Sequence, residues 1–235
     1  MLQPIADGLW AAPHQLNLPG GFPFPVRMTV VRLADGSLVL ISPVPIDDEL
    51  AAELAALGPV AFLVAPNLLH HLFLGAAARR YPQAQVLVAP GLPEKVGALP
   101  PHTLLDERVP AAWQGQLQVL SMQGQPKLNE QALLHLPSGS LMLTDLVFHI
   151  LHPASWRTGL LLWMVGCRGR LAQSRLVRGL TTDKPAAAAS AARLLAMDFD
   201  RLVPAHGEVV ETGAKEALSQ ALAPVLAAQP ALAVS

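Results

Sequence analysis

The stretch Val60-Ala-Phe-Leu-Val-Ala-Pro-Asn-Leu-Leu-His70-His71 decides the fold class and locates the candidate site. Its first part, Val60 to Ala65, is a short run of apolar residues, which is typical of a strand covered on both faces. Two adjacent histidines follow soon after the run ends at Pro66-Asn67. The sequence therefore predicts a buried strand that delivers two imidazole side chains beyond its carboxyl end.

Strands and helices alternate on both sides of this stretch. Residues 26–33 and 38–42 are predicted strands, and Asp35-Gly36 between them is a hairpin signal. Residues 45–57 follow as a helix that Gly58-Pro59 ends. The remaining predicted elements are a helix over 72–81, strands over 85–89, 117–122, 131–136 and 141–144, a helix over 183–197, a strand over 201–205 and a helix over 215–228.

This order of elements indicates an α/β layered architecture with mixed sheets. Two sheets with helices outside is the preferred arrangement, and a single doubly wound sheet is the alternative. No low-complexity linker divides the chain, so residues 1–235 are predicted to form a single domain.

Composition excludes several classes of function. With 52% apolar and 14% charged residues, the chain is not an intrinsically disordered protein. The formal net charge of −1 argues against nucleic acid or an anionic membrane as the main partner. Cys167 is the single cysteine, and the N-terminal residues have neither the basic region nor the long apolar region of a signal peptide, so a cytoplasmic location is predicted.

One apolar run, residues 159–167, raises the question of a membrane or a partner. It has nine residues, whereas a spanning helix needs about 20, so no membrane span is predicted. One interpretation is a buried helix or strand. The other is an exposed apolar patch that binds an apolar ligand or a partner subunit, as in a homodimer of this chain.

Candidate ligands follow three predicted strands. His70 and His71 come after the first of these strands, Asp145 ends the strand over 141–144, and His206 ends the strand over 201–205. In α/β folds, sites collect at the carboxyl ends of strands. Imidazole and carboxylate groups are ligands for Zn²⁺, Fe²⁺ and Mn²⁺, so the three positions together predict a metal site.

The chain resembles the metallo-β-lactamase fold superfamily, and it looks most like a bacterial domain family of unknown function within it. The residues that carry the resemblance cover nearly the whole chain. They are Val39-Leu-Ile-Ser42-Pro43, Ala65-Pro-Asn-Leu-Leu-His-His71, Tyr81-Pro-Gln-Ala84, Leu143-Thr-Asp-Leu146 and Pro204-Ala-His-Gly207. The resemblance implies a four-layer αβ/βα sandwich with two mixed sheets.

Members of this superfamily carry two adjacent metal pockets, and the resemblance implies that one of them is lost here. Its histidine positions fall on Pro66, on Leu68 and near Gln125, and none of these is a metal ligand.

The other pocket keeps ligand-competent residues at every position. These positions fall on His70, His71, Asp145 and His206. His149 is predicted to reach the same cleft without belonging to the ligand set.

The resemblance implies a hydrolase that uses one divalent metal ion on a small-molecule ester, lactone, thioester or phosphoester. Two alternatives stay open. One is a non-catalytic binding or assembly module that keeps the fold, and the other is a mononuclear iron redox protein.

Overall fold

The structure, a computed structural model, describes residues 1–227 and contains two β-sheets. The strands are β1 (Gln3–Ala6), β2 (Leu9–Leu18), β3 (Phe22–Arg32), β4 (Leu38–Ile41), β5 (Val60–Ala65), β6 (Gln85–Val88), β7 (Thr103–Leu104), β8 (Leu117–Ser121), β9 (Gln131–His135), β10 (Ser140–Leu143) and β11 (Arg201–Pro204).

Both sheets are mixed. In the seven-stranded sheet the strands follow chain order, antiparallel from β1 to β4 and parallel from β4 to β7. The four-stranded sheet has the order β11-β10-β9-β8, and only its β10–β11 pair is parallel. The predicted two-sheet arrangement is therefore confirmed, and the single doubly wound sheet is wrong.

Seven α-helices accompany the sheets in the described part of the chain. They are α1 (Asp48–Leu57), α2 (Leu74–Arg80), α3 (Leu92–Val96), α4 (Trp156–Met164), α5 (Arg175–Gly179), α6 (Lys184–Ala196) and α7 (Ala214–Leu226). None of them is both long enough and apolar enough to cross a bilayer.

Strand β5 shows why its sequence is apolar throughout. Leu63 and Ala65 point into a core that includes residues of α1 and α2. Phe62 and Val64 point the other way, into a core shared with the second sheet. Because successive side chains of a strand face opposite sides, a strand between two apolar layers needs apolar residues at every position.

The second sheet completes the layers. Leu133 on β9 faces the first sheet, whereas its neighbour Leu134 packs in a core with Leu194 of α6 and Leu218 of α7. The result is a helix–sheet–sheet–helix sandwich, as the sequence analysis expected.

Several predicted boundaries shift by a few residues. Helix α1 begins at Asp48 rather than at Pro45, because the Asp47 carboxylate caps it by accepting the Leu50 amide at 2.8 Å. Strands β1 and β2 were not predicted at all. The predicted last helix extends to Ala228, which lies outside the described residues.

The ends of the central strands place the candidate ligands. Strand β4 ends before Ser42, β5 before Asn67 and His70, β10 before Asp145, and β11 before His206. Since β4 is parallel to β5 and β10 to β11, the strands of each pair end on the same side.

Gly58 provides a test of the packing around α1. Its φ is +155°, and an added Cβ would lie 2.0 Å from the Gly36 carbonyl oxygen. Gly97 also has a positive φ, +74°, but open space around the Cβ position. We expect Gly58→Ala to lower the free energy of unfolding by at least about 3 kcal/mol and Gly97→Ala by about 1 kcal/mol, measured by urea denaturation. Equal losses of stability in the two variants would contradict the close packing of Gly58 against Gly36.

Candidate metal centre

Three of the predicted ligands converge at one point. The Nε2 atoms of His70 and His206 lie 3.0 Å apart. The Asp145 carboxylate reaches both rings, with Oδ2 at 3.2 Å from His70 Nε2 and Oδ1 at 3.3 Å from His206 Nε2. All three side chains are at least nine-tenths buried.

A turn after β5 carries His70 to this point. The Asn67 side-chain oxygen accepts the amides of Leu69 and His70 at 2.8 and 2.7 Å, which closes an Asx turn. The chain is therefore not helical at His70, since α2 begins only at Leu74.

Asp145 is held from two sides. The buried Glu130 carboxylate accepts the backbone amides of Thr144, Asp145 and Leu146 at 2.6, 2.8 and 3.0 Å, and so shapes the chain after β10. From the other side, Asn67 Nδ2 donates to Asp145 Oδ2 at 2.7 Å. The carboxylate thus has little freedom to turn away from the two histidines.

His206 is clamped by aromatic rings and by backbone. Phe148 stacks on its imidazole at 5.0 Å between centroids, and Phe24 lies 4.9 Å away on another side. The Arg27 guanidinium donates to the carbonyls of Pro204 and Gly207 at 2.6 and 2.7 Å, which fixes the chain on both sides of the histidine.

The hydrogen bonds at Nδ1 indicate which ring nitrogen is available. His206 Nδ1 lies 2.9 Å from the Pro25 carbonyl oxygen, which can only accept a hydrogen bond. In the neutral ring the proton is therefore on Nδ1, and the Nε2 lone pair faces the centre. His70 Nδ1 lies 2.5 Å from Ser42 Oγ. Imidazoles that bind metals usually have their second nitrogen held in this way.

The charges of the centre support one another. Burial alone would raise the pKa of Asp145, but the charge of His70 and the contacts of both imidazoles with the carboxylate hold that pKa well below its usual value. For His70, burial acts to lower the pKa, but the nearby carboxylates of Asp145 and Glu130 together outweigh burial, so the pKa is raised. Burial, followed by the nearby charge of Asp145, raises the pKa of Glu130.

Ser42 adds a strained position to the site. Its φ of +56° lies in the left-handed region, which non-glycine residues rarely adopt. Such strain is typical of functional sites. Because the Ser42 hydroxyl contacts His70, the strained turn places a hydrogen-bonding group behind the imidazole.

His71 and His149 lie outside the convergent group. Burial, with Lys95 and His70 nearby, lowers the pKa of His71. His149 Nδ1 is 2.8 Å from the Glu208 carbonyl oxygen. Of the adjacent pair, only His70 reaches the centre.

The positions that the resemblance assigns to the other metal pocket have different partners. Leu68 is buried in the core beneath α1 and α2. Gln125 donates to the Val177 carbonyl and to Thr181 Oγ1 at 3.1 and 2.9 Å. Cys167 is buried, and burial raises the pKa of its thiol to about 11.

An apolar cavity of about 440 Å³ opens above the candidate ligands. His70, Asp145, His206 and Ser42 lie among its lining residues, together with Ser174. The other lining residues are apolar and come from the β2–β3 hairpin, the turn after β4, the turn after β5, Phe148 and the region of α5: Leu16, Leu18, Phe24, Val26, Pro43, Val44, Leu69, Leu72, Phe73, Phe148, Leu176, Val177 and Leu180. A small molecule bound in this cavity would be surrounded mostly by apolar side chains. It would meet polar groups mainly at the candidate metal ligands.

The model of a domain of unknown function, DUF4336, matches residues 9–157. The chain belongs to this family. No curated protein matches the sequence. The predicted resemblance to a bacterial family of unknown function is therefore confirmed.

Solved structures show the same fold at low sequence identity. A metallo-β-lactamase from Pontibacter korlensis has a TM-score of 0.65 and 16% identity, covering 96% of this chain and 98% of that one. A metallo-β-lactamase from Erythrobacter litoralis has a TM-score of 0.67 and 16% identity, covering 95% of both chains. The mono-zinc form of FIM-1 from Pseudomonas aeruginosa has a TM-score of 0.62 and 16% identity, covering 98% and 96%. The chain therefore has the metallo-β-lactamase fold.

Glu130 offers a test of how the centre is supported. In Glu130→Gln, an NH₂ group replaces one of the two carboxylate oxygens that accept the three backbone amides. We therefore expect the free energy of unfolding to be about 2–4 kcal/mol lower than in the parent chain. Glu107→Gln is the matched control, because Glu107 is exposed where it pairs with Arg193 and accepts the Ser121 amide. Chemical denaturation measures both. A Glu130→Gln variant as stable as the control would contradict the supporting role.

Proposed function

We propose that this chain is a hydrolase that uses one divalent metal ion, held by His70, Asp145 and His206, on an ester, lactone or thioester with an apolar acyl group. The proposal rests on a single observation: two imidazole Nε2 atoms and one carboxylate converge at the floor of an apolar cavity.

The donor set fits a divalent cation. The donor atoms lie within 4.8 Å of one another. Two neutral imidazoles and a carboxylate suit Zn²⁺, Fe²⁺ or Mn²⁺. Three protein ligands leave an open coordination position, which is typical of catalytic rather than structural sites. An ion in such a site supplies Lewis acidity, which polarises a carbonyl group and acidifies water.

The surrounding side chains have separate roles in this proposal. Ser42 and the Pro25 carbonyl orient the two imidazoles through their Nδ1 atoms. Asn67 and Glu130 position the Asp145 carboxylate. The apolar walls hold the acyl group and exclude bulk water from the centre.

The cavity lining favours a carbon ester over a phosphoester. No lysine or arginine is among the residues that line the cavity in the described part of the chain. Phosphate groups are usually bound by such cations or by backbone amides at a helix N-terminus. We therefore narrow the sequence-based substrate range to uncharged acyl compounds.

A second candidate is a mononuclear iron redox protein. Two histidines and one carboxylate are the ligand set of non-haem Fe(II) oxygenases, and the convergent group has this composition. The third interpretation, a non-catalytic module that forms a homodimer through residues 159–167, stays a prediction.

Metal binding is the first test. Zn²⁺ titration of chelator-treated protein should reach about one ion per chain. Zn²⁺ binding should be lost in each of the variants His70→Ala, Asp145→Ala and His206→Ala, because a site with only two protein ligands left binds the ion too weakly. Ser42→Ala should weaken binding about 10- to 100-fold through the orientation of His70.

His71→Ala is the matched control, since it removes an adjacent imidazole that lies outside the group. Uptake below about 0.2 ion per chain, or loss of binding in His71→Ala alone, would contradict the three-ligand site. A coloured protein with stoichiometric iron would favour the redox interpretation.

Substrate class is the second test. For p-nitrophenyl esters from acetate to octanoate, kcat/KM should rise up to about fourfold per added methylene, because each buried methylene contributes about 0.8 kcal/mol. Leu180→Ala should flatten this slope, and a chelator should abolish turnover. Faster turnover of acetate than of octanoate, or turnover of p-nitrophenyl phosphate, would exclude the proposed substrate class.

A further inference from the structure

Helix α4 exposes an apolar face that the proposed hydrolase site does not explain. Trp156, Leu160, Trp163 and Met164 are 74%, 45%, 65% and 50% exposed. Leu160, Trp163 and Met164 follow Trp156 by four, seven and eight residues, and this spacing places all four side chains on one face of the helix. Such a concentration of large apolar side chains in water marks an interaction surface.

The opposite face of α4 is anchored to the protein body. Thr158, Gly159 and Leu162 are buried. The Thr158 hydroxyl donates to the Pro23 carbonyl of the β2–β3 hairpin at 2.9 Å. Helix α4 is therefore held in place, and its apolar face is presented outward as a consequence of the packing.

The segment that contains α4 and α5 is strongly basic. Between Asp145 and Asp183 the sequence has five arginines and no acidic residue, although the whole chain has a net charge of −1. These are Arg157, Arg168, Arg170, Arg175 and Arg178. Within residues 1–227 none of the five forms an ion pair with a carboxylate. The Glu208 carboxylate does accept the Leu151 amide at the border of the segment.

The apolar face continues to the mouth of the cavity. The first residue of α5, Arg175, binds the end of α4, with its amide on the Val165 carbonyl at 2.8 Å and its side chain on the Met164 carbonyl at 3.1 Å. The next residue, Leu176, is 67% exposed and also lines the cavity. Leu69 and Leu72 at the cavity mouth are likewise exposed.

We propose that this surface, residues 151–178, docks on an anionic lipid bilayer. Tryptophan and leucine side chains enter the region between headgroups and acyl chains, and arginines bind anionic headgroups. The cavity mouth would then face the bilayer. This docking needs no metal and does not depend on the proposed hydrolase activity.

The charge pattern favours a bilayer over a second copy of the chain. In a two-fold symmetric dimer the same patch meets itself, so Arg157 and Arg175, which contact Trp156 and Met164 of the apolar face, would be brought toward the same residues of the other copy. The like charges would oppose association, whereas an anionic bilayer attracts them. A homodimer through residues 159–167 is therefore the alternative outcome of the test.

Vesicle co-sedimentation of the full chain tests the proposal. The chain should bind vesicles of phosphatidylcholine and phosphatidylglycerol at least about tenfold more tightly than pure phosphatidylcholine. Trp156→Ala and Trp163→Ala should each lower binding about tenfold. Arg157→Gln and Arg170→Gln should each lower it about fivefold, and added salt should weaken it.

Leu136→Ala and Arg108→Gln are matched controls, since these exposed residues lie outside the surface and should bind vesicles like the parent chain. Circular dichroism checks that each variant is folded. Absent binding to anionic vesicles, or equal losses in the controls, would overturn the proposal. A dimer in sedimentation equilibrium that Trp163→Ala dissociates, without vesicle binding, would assign the surface to a second copy.

Discussion

The buried carboxylate of Asp145 is the constraint on which the candidate site depends. A negative charge in this interior position is costly unless it is paired and hydrogen-bonded. Here His70, His206 and Asn67 all face it, and Glu130 fixes the backbone that carries it. The polar groups at the ends of the two parallel strand pairs can therefore be understood as one network built around a single charge.

The sequence predicted the layered fold and three convergent residues because both depend on short-range patterns. An apolar run such as Val60–Ala65 is evident from composition alone, and parallel strands bring their carboxyl ends to one side. The fourth predicted ligand, His71, shows the limit. The direction of a side chain in an irregular turn depends on long-range contacts. One example is the hydrogen bond from Asn67 to Asp145, two residues that are 78 positions apart in the sequence.

Other features could not be predicted because they depend on long-range packing. The role of Ser42 follows from its distance to His70, and its strained backbone has no sequence signal.

Strand β2 was missed because its sequence includes proline and polar residues, although it pairs with β3 over ten residues. Net charge likewise concealed the basic segment, since carboxylates elsewhere in the chain offset its five arginines in the sum.

Metal binding and protonation would compete at this centre. A cation requires the lone pair of His70 Nε2, whereas the raised pKa of His70 reflects a proton that Asp145 stabilises in the metal-free chain. Below that raised pKa, binding must displace the proton, so affinity falls as pH falls. Above it, the carboxylate is free to attract the cation. The same buried charge that organises the metal-free network is thus the group that would draw a divalent ion into the cavity.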